Sequence, residues 1–368
     1  MHSSANLLLA AVLLVGGGLR RAQAGVVEDV VAKVNGKPVF LSEYNKNLRE
    51  ALANYQRTMP QALRDEEMVK ELRKSLLDQM IEWELLAQKA DEKKIQVHNR
   101  EIDKGINEVL ERSFRLDEAT GQRRSDKEME DIFKKELAAE GLSEETYRER
   151  IRRQTQIRKV IDEEVRAKTK EPDEVRAKTA FEALEAVVRD DTSTLAGLGD
   201  DEAQAYVLFG RQIRNAHSER VRVAHILCKF SPGASMVEKS QALQKAKDLK
   251  KKLAEGADFE TLAQKESDDL ESAPRGGDLG FILKGWMPPE FEKSAFALSV
   301  GEVGEPVESD FGYHLIRVIE KKAKEGVTFD KLKPQVSQFV ASLDQEKALK
   351  AYVKKLREKA TVEVILRD

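Results

Sequence analysis

Residues 221–319 constrain this chain most, because their pattern changes period three times within one short stretch. Val221, Val223, His225 and Leu227 alternate with Arg222, Ala224 and Ile226, which is strand period. Residues 239–253 then read as a helix, with Leu243, Ala246, Leu249 and Leu253 at helical spacing. Phe259, Leu262 and Ala263 suggest a second short helix. Gly276-Gly277 and Gly280 mark a tight turn around Asp278 and Leu279. His314, Ile316 and Val318 alternate with Leu315, Arg317 and Ile319 in a final strand. The pattern is that of a small α+β unit of about a hundred residues, an ordinary domain size.

Five motifs stand in order along this unit: H-I-L at 225–227, G-D-L-G at 277–280, M-P-P-E-F at 287–291, G-E-V at 301–303 and F-G-Y-H at 311–314. Together they make it resemble a parvulin-type peptidyl-prolyl isomerase domain. The resemblance implies an FKBP-like α+β domain with a small antiparallel sheet over 218–322. The chain around it resembles the SurA/PrsA/PpiC-type extracytoplasmic foldases, which join a helical chaperone domain to parvulin.

The resemblance also implies a site. Leu279, Met287 and Phe291 match the proline-pocket positions and are apolar, as that task demands. His225 and His314 match the paired histidines of the parvulin core, and Asp269 stands where some parvulins carry Cys and others Asp. Ser309 matches a hydroxyl position beside the second histidine, and Phe311 replaces a small polar residue there, narrowing the pocket. The residues alone leave other readings open. The histidines lie in strands and suit a structural pair, Asp269 suits a loop or helix cap, and Met287 and Phe291 suit ordinary core. Parvulins that select phosphorylated residues before proline carry a basic cluster after the first strand. Here Lys229-Phe230-Ser231-Pro232-Gly233-Ala234 supplies one lysine, so phosphate selection is not expected.

At 368 residues, one to three domains are expected. Lys plus Arg number 63 against 66 Asp plus Glu, and this near balance argues against a nucleic-acid binder. Charged residues make up 35% and aromatics 6%, so much of the chain reads as solvated helix. The one cysteine, Cys228, excludes an intramolecular disulfide framework. It is either a small buried apolar side chain, the usual fate of a free thiol, or a reactive thiol or partner in an intermolecular disulfide. His2, His98 and His217 show no metal-ligand spacing, and the glycines at 276–280 lack the phosphate-loop and dinucleotide fingerprints. No cofactor or metal is expected.

Residues 7–19 form an apolar run too short to span a membrane, followed by Ala22-Gln23-Ala24 before Gly25. This reads as a signal peptide over 1–24 cut after Ala24, with a short retained anchor as the other reading. The expected residence is therefore periplasmic or otherwise extracytoplasmic, without stable membrane insertion after cleavage. Val30, Ala32 and Val34 alternate, Asn35-Gly36 offers a type I′ turn, and Pro38-Val39-Phe40-Leu41 follows, which predicts a hairpin. Its A-K-V-N-G-K-P-V at 32–39 also resembles the opening of the SurA-type domain. Residues 65–95 form an amphipathic helix, with Leu72, Leu76, Met80 and Trp83 on one stripe and Leu77, Ile81 and Leu85 beside it. Further helices are expected at 100–112, 127–140, 143–168 and from Pro172 to about Val188, with Ser143 as an N-cap.

Residues 189–217 depart from the family pattern and read as a solvated linker with a helix at 202–215. A long helix over 328–360 places Leu332, Val336, Phe339 and Leu343 on one face, continued by Leu349, Val353 and Leu356. A strand at 361–366 ends the chain and needs a partner, for which the hairpin at 30–41 is the candidate. The expected order is thus a helical domain at 25–188, the linker, parvulin at 218–322, and a segment at 323–368 that returns to complete the helical domain.

The implied activity is that of an exported peptidyl-prolyl cis-trans isomerase with an attached chaperone module. Its partners would be unfolded or nascent exported polypeptides containing X-Pro bonds, including outer-membrane precursors where the cell has two membranes. The rival expectation is a non-catalytic holdase that uses the parvulin fold to bind peptides.

Overall fold

The computed structural model describes residues 29–117 and 121–366, so the expected leader lies outside the described residues. Contacts divide the chain into two compact units. One holds residues up to Glu174 and from Ser337 onward; the other is Val175–Val336. The second is thus inserted in the first along the chain.

The first unit is built on a three-stranded sheet. Strands β1 (Val30–Val34) and β2 (Lys37–Phe40) pair antiparallel across Asn35 and Gly36, whose φ values of 50° and 79° are those of the anticipated turn. The terminal strand β7 (Val362–Val364) pairs with β1, placing Val34 opposite Val362 and Ala32 opposite Val364. The return of the C-terminus to the hairpin is therefore observed. Asn35 locks it, donating its amide N–H to the Thr361 carbonyl and accepting the Thr361 N–H, both at 2.8 Å.

Helix α1 (Leu41–Thr58) follows the hairpin, and α2 (Glu66–Glu92) starts where the Asp65 carboxylate accepts the Glu67 and Met68 amides. The apolar stripe of α2 is buried along Leu76, Leu77, Met80, Ile81, Trp83 and Leu85, whereas Leu72 is only half-buried. Helices α3 (Asn99–Phe114), α4 (Asp126–Ala139) and α5 (Glu144–Glu164) share a core of Ile102, Ile106, Phe133, Leu137 and Ile151. Ser143 caps α5 as expected, its Oγ accepting the Thr146 N–H at 3.0 Å. Ser125 caps α4 reciprocally: its Oγ accepts the Glu128 N–H, and Glu128 Oε2 accepts the Ser125 N–H at 2.8 Å. Ser125→Ala is expected to cost this unit about 1 kcal/mol. A lowered urea midpoint with an unchanged slope would register it.

In the second unit, α6 (Glu174–Val188) and α7 (Asp200–His217) precede the sheet. The reading of 189–217 as a solvated linker does not hold for α7, which buries Tyr206 and Ile213. Gly210 explains the packing: a Cβ there would meet Val187 Cγ1 at 2.5 Å, so only glycine lets α7 approach α6 this closely. The division between units correspondingly falls at Glu174/Val175 rather than after residue 188, because α6 packs with α7.

The sheet has strands β3 (Arg220–Lys229), β4 (Asp278–Leu283), β5 (Val307–Ser309) and β6 (Gly312–Lys322), all antiparallel, in the order β4-β3-β6-β5. Asp278 and Leu279 belong to β4 rather than to a turn. The glycines before them turn the chain, and β3 then captures 278–283 by pairing Val223 with Gly280 and Arg222 with Phe281. Period two sends alternate side chains to opposite faces. Ala224, Ile226, Cys228 and Leu315 pack under α8 (Met236–Ala254) and α9 (Phe259–Glu266). Val221, Val223, Ile316 and Val318 pack against Phe291 and Ala295 of α10 (Pro289–Ala297). Buried Cys228 has its thiol pushed up to about 11 by desolvation, which fits the apolar reading and not a ready nucleophile.

The long helix α11 (Phe329–Glu358) contributes Leu349 and Val353 to a core with Trp83, Leu86, Ile157 and Val160 in the first unit. Val340 and Ala341, not Phe339 and Leu343, are its buried mid-helix residues, continuing the four-residue step from Leu332 and Val336.

Candidate functional site

His225 on β3 and His314 on β6 belong to the sheet face covered by α10. The β3–β6 register sets His225 opposite Ile316 and Leu227 opposite His314, so the two rings are diagonal neighbours. They stack at 5.3 Å between centroids with 19° between planes, and their Nδ1 atoms are 3.0 Å apart. Both residues are buried. The far side of His225 meets Asp269, with Nε2 2.8 Å from Oδ2. The far side of His314 meets Ser309, with Nε2 2.7 Å from Oγ. Asp269, His225, His314 and Ser309 therefore form one continuous line of hydrogen bonds, which joins the four polar residues named from the sequence.

Burial keeps both rings neutral. Desolvation lowers His225 despite the opposing effect of Asp269, and it lowers His314 to about 4, reinforced by the neighbouring His225. Burial disfavours the ionised form of Asp269, but hydrogen bonds from Ser272 and His225 outweigh it and hold the carboxyl below its ordinary range. A carboxylate only accepts, so His225 Nε2 donates to it. His225 Nδ1 then accepts from His314 Nδ1–H, and His314 Nε2 accepts from Ser309 Oγ–H.

The apolar residues gather on the same face. The Phe291 ring stands edge-on to His314 at 5.2 Å and 89°, and lies 6.0 Å from His225. It is fully buried, so it forms the floor against the rings, while Leu279 and Met287 are half-buried beside it. Phe311 is different: it is 61% exposed, and its backbone N–H donates to Ser309 Oγ at 3.1 Å. Its ring belongs to the rim rather than to the packed wall.

Two residues escaped the sequence reading. Ser272 is buried, with Oγ 2.5 Å from Asp269 Oδ2 and 3.2 Å from His225 Nε2. Its only sequence signal is a place three residues after Asp269 within S-A-P-R-G-G. Asp268 accepts the Lys229 N–H at 3.0 Å and meets Lys245 Nζ at 3.2 Å, fastening the Asp269 loop to the end of β3.

An antiparallel sheet carrying a buried histidine pair, roofed by one helix with an adjoining apolar surface, defines a parvulin-type domain. Residues 225–320 match the PPIC-type PPIASE domain, and residues 4–161 match the SurA-like N-terminal domain. The chain thus carries a stretch similar to a SurA-like N-terminal domain followed by one similar to a PPIC-type PPIASE domain. It is similar to a parvulin-like PPIase of Rickettsia conorii, at 38% identity over 172 residues, or 45% of this chain and 53% of that one. It thus spans about half the length of that relative. The foldase protein PrsA of Clostridium botulinum is 27% identical over 343 residues, covering 90% of this chain and 85% of its own. The crystal structure of PrsA from Bacillus subtilis aligns at 22% identity and a TM-score of 0.26, over 93% of this chain and 96% of that one.

Proposed function

We propose that this chain is a peptidyl-prolyl cis-trans isomerase with a chaperone module, acting outside the cytoplasm on unfolded polypeptides that contain X-Pro bonds. Outer-membrane precursors are the clients we favour where the cell has two membranes. The observation that carries the reading is the line Asp269–His225–His314–Ser309 set against Phe291, Leu279 and Met287. Among the described residues no helix is long and apolar enough to cross a membrane.

Isomerisation breaks no covalent bond. The X-Pro amide must lose conjugation as it twists, and unaided it does so over tens of seconds. The half-buried Leu279 and Met287 would receive the proline ring and exclude water from one side of the amide. Desolvation favours the less polar twisted state. Two neutral rings are poor acids at neutral pH, so the histidine line serves as a rigid hydrogen-bonded wall rather than as a proton donor. Its outer groups, the Asp269 carboxylate and the Ser309 hydroxyl, are half-buried and can face the rotating peptide.

The test is a protease-coupled isomerisation assay on unphosphorylated X-Pro peptides, using the chain from residue 25. Met287→Ala is expected to lower kcat/KM about tenfold or more, the worth of one or two buried methylenes in a specificity pocket. Unaltered circular dichroism would accompany the loss. No catalysis by the folded wild-type chain would refute the enzyme reading and favour a holdase.

A further inference from the structure

We infer that Ser272 is a positioning residue of this site: its hydroxyl holds the Asp269 carboxylate against the His225 ring. The inference rests on the isomerase reading only for its kinetic consequence; the geometry stands independently.

Proton counting assigns the role. Ser272 Oγ lies 2.5 Å from Asp269 Oδ2 and 3.2 Å from His225 Nε2, and it carries one hydrogen. The carboxylate has only lone pairs to offer, so that hydrogen goes to Oδ2. The Ser272 oxygen is then free only to accept from His225 Nε2–H, which also donates to Oδ2 at 2.8 Å. Ser272 thus donates to the carboxylate and accepts from the ring, closing a triangle that fixes both.

The residue cannot readily turn away. It is 1% exposed, and its carbonyl accepts the N–H groups of Arg275 and Gly277, each at 2.9 Å. Asp269 is only half-buried and has a route to water if released. Without the hydroxyl its remaining donors are His225 and the Glu271 N–H at 3.2 Å. The other charged and titratable groups nearby leave the task to Ser272. His314 on β6 meets the opposite edge of His225 and makes no hydrogen bond to Asp269, and Asp268 is committed to Lys229 N–H and Lys245. Glu271 offers its backbone N–H, while its side chain is exposed.

Ser272→Ala in the chain from residue 25 tests this, with Ser272→Thr as rescue and Ser272→Cys, a near-isosteric weak donor, should alanine fail to fold. The first readout is the titration of the Asp269 carboxyl carbon by nuclear magnetic resonance. Loss of the hydroxyl is expected to raise its midpoint by about one pH unit, equivalent to a tenfold change in proton affinity. The second readout is the isomerase assay. There kcat is expected to fall about tenfold with KM little changed, as for one lost hydrogen bond to a charged group, and the acidic limb should move to higher pH. Threonine should restore both. A carboxyl titration identical to wild type in the alanine variant, or in the cysteine variant if alanine does not fold, would overturn the inference. If wild type itself lacks isomerase activity, the function proposed above fails, and the titration still decides the role of Ser272.

Discussion

Gly277→Ala is expected to abolish the folded state of the Val175–Val336 unit. The position combines two demands that no other residue type meets. Its φ of +81° lies in the left-handed region, where a Cβ costs about 1–2 kcal/mol. A Cβ would also stand 2.1 Å from the His225 carbonyl oxygen, with the His225 C and N at 3.1 and 3.2 Å. These are backbone atoms of β3, and they cannot swing aside as a side chain could. The His225 N–H donates to the Gly277 carbonyl at 2.9 Å, so the same contact is a hydrogen bond that displacement would break. Moving β3 would disturb its pairing with both β4 and β6 and separate the two histidines. The cost should exceed about 4 kcal/mol, the range reserved for a named structural collision. Gly285→Ala is the control: its φ is +88°, but an added Cβ would meet nothing within 4 Å. It should lose only about 1–2 kcal/mol, the conformational part alone. Amide exchange along β3 separates the cases, and equal protection in the two variants would show that the close approach does not matter.

Much of this site was legible because its parts lie at fixed motif positions. The strand alternation placed His225 and His314, and period two put both on one face. What the sequence withheld is what depends on pairing between distant segments. Leu279 sits beside glycines and so read as turn, yet β3 supplies the hydrogen bonds that make 278–283 a strand. The short β5 has too few residues to show a period and forms only because β6 doubles back on it. Ser272 looked like any loop serine; its function comes from a 3-10 turn over 273–275 that buries it beside Asp269. In α7 the polar composition around 202–215 suggested a solvated helix. Gly210, a poor helix former, was the signal that another element packs close by, but only the position of the Val187 side chain gives it meaning.

The proposed pocket divides in the same way. Met287 and Phe291 were both open to a core reading, and the structure separates them. Phe291 is core in the strict sense, with no exposed surface, and it braces both imidazoles edge-on. Met287 keeps part of its surface open. A ligand would therefore feel Met287 directly and Phe291 through the rings it supports. This is why Met287→Ala tests binding chemistry, whereas shortening Phe291 would test the stability of the unit.

Between pH 6.5 and about 4, the Val175–Val336 unit is expected to lose roughly 3 kcal/mol of stability through His314 alone. In the unfolded chain this imidazole takes up a proton near its ordinary 6.5; in the fold, burial and the adjacent His225 delay that to about 4. Over that interval the unfolded state binds the extra proton and the folded state does not. Stability is complete above 6.5 and falls as the pH drops, levelling off for this group once the folded ring is protonated as well. His225 is also lowered and acts in the same direction. Asp269 and Asp278, both held below the ordinary carboxylate value of 3.8, add their losses only at lower pH, where the unfolded carboxylates take up a proton and the folded ones do not yet. The check is hydrogen exchange of the β3 and β6 amides at pH 7 and pH 4.5, corrected for intrinsic rates. Protection should drop by about two orders of magnitude, the equivalent of roughly 3 kcal/mol. Equal protection at both values would mean that one imidazole accepts a proton inside the fold, and that the pair is a charged element rather than a neutral wall.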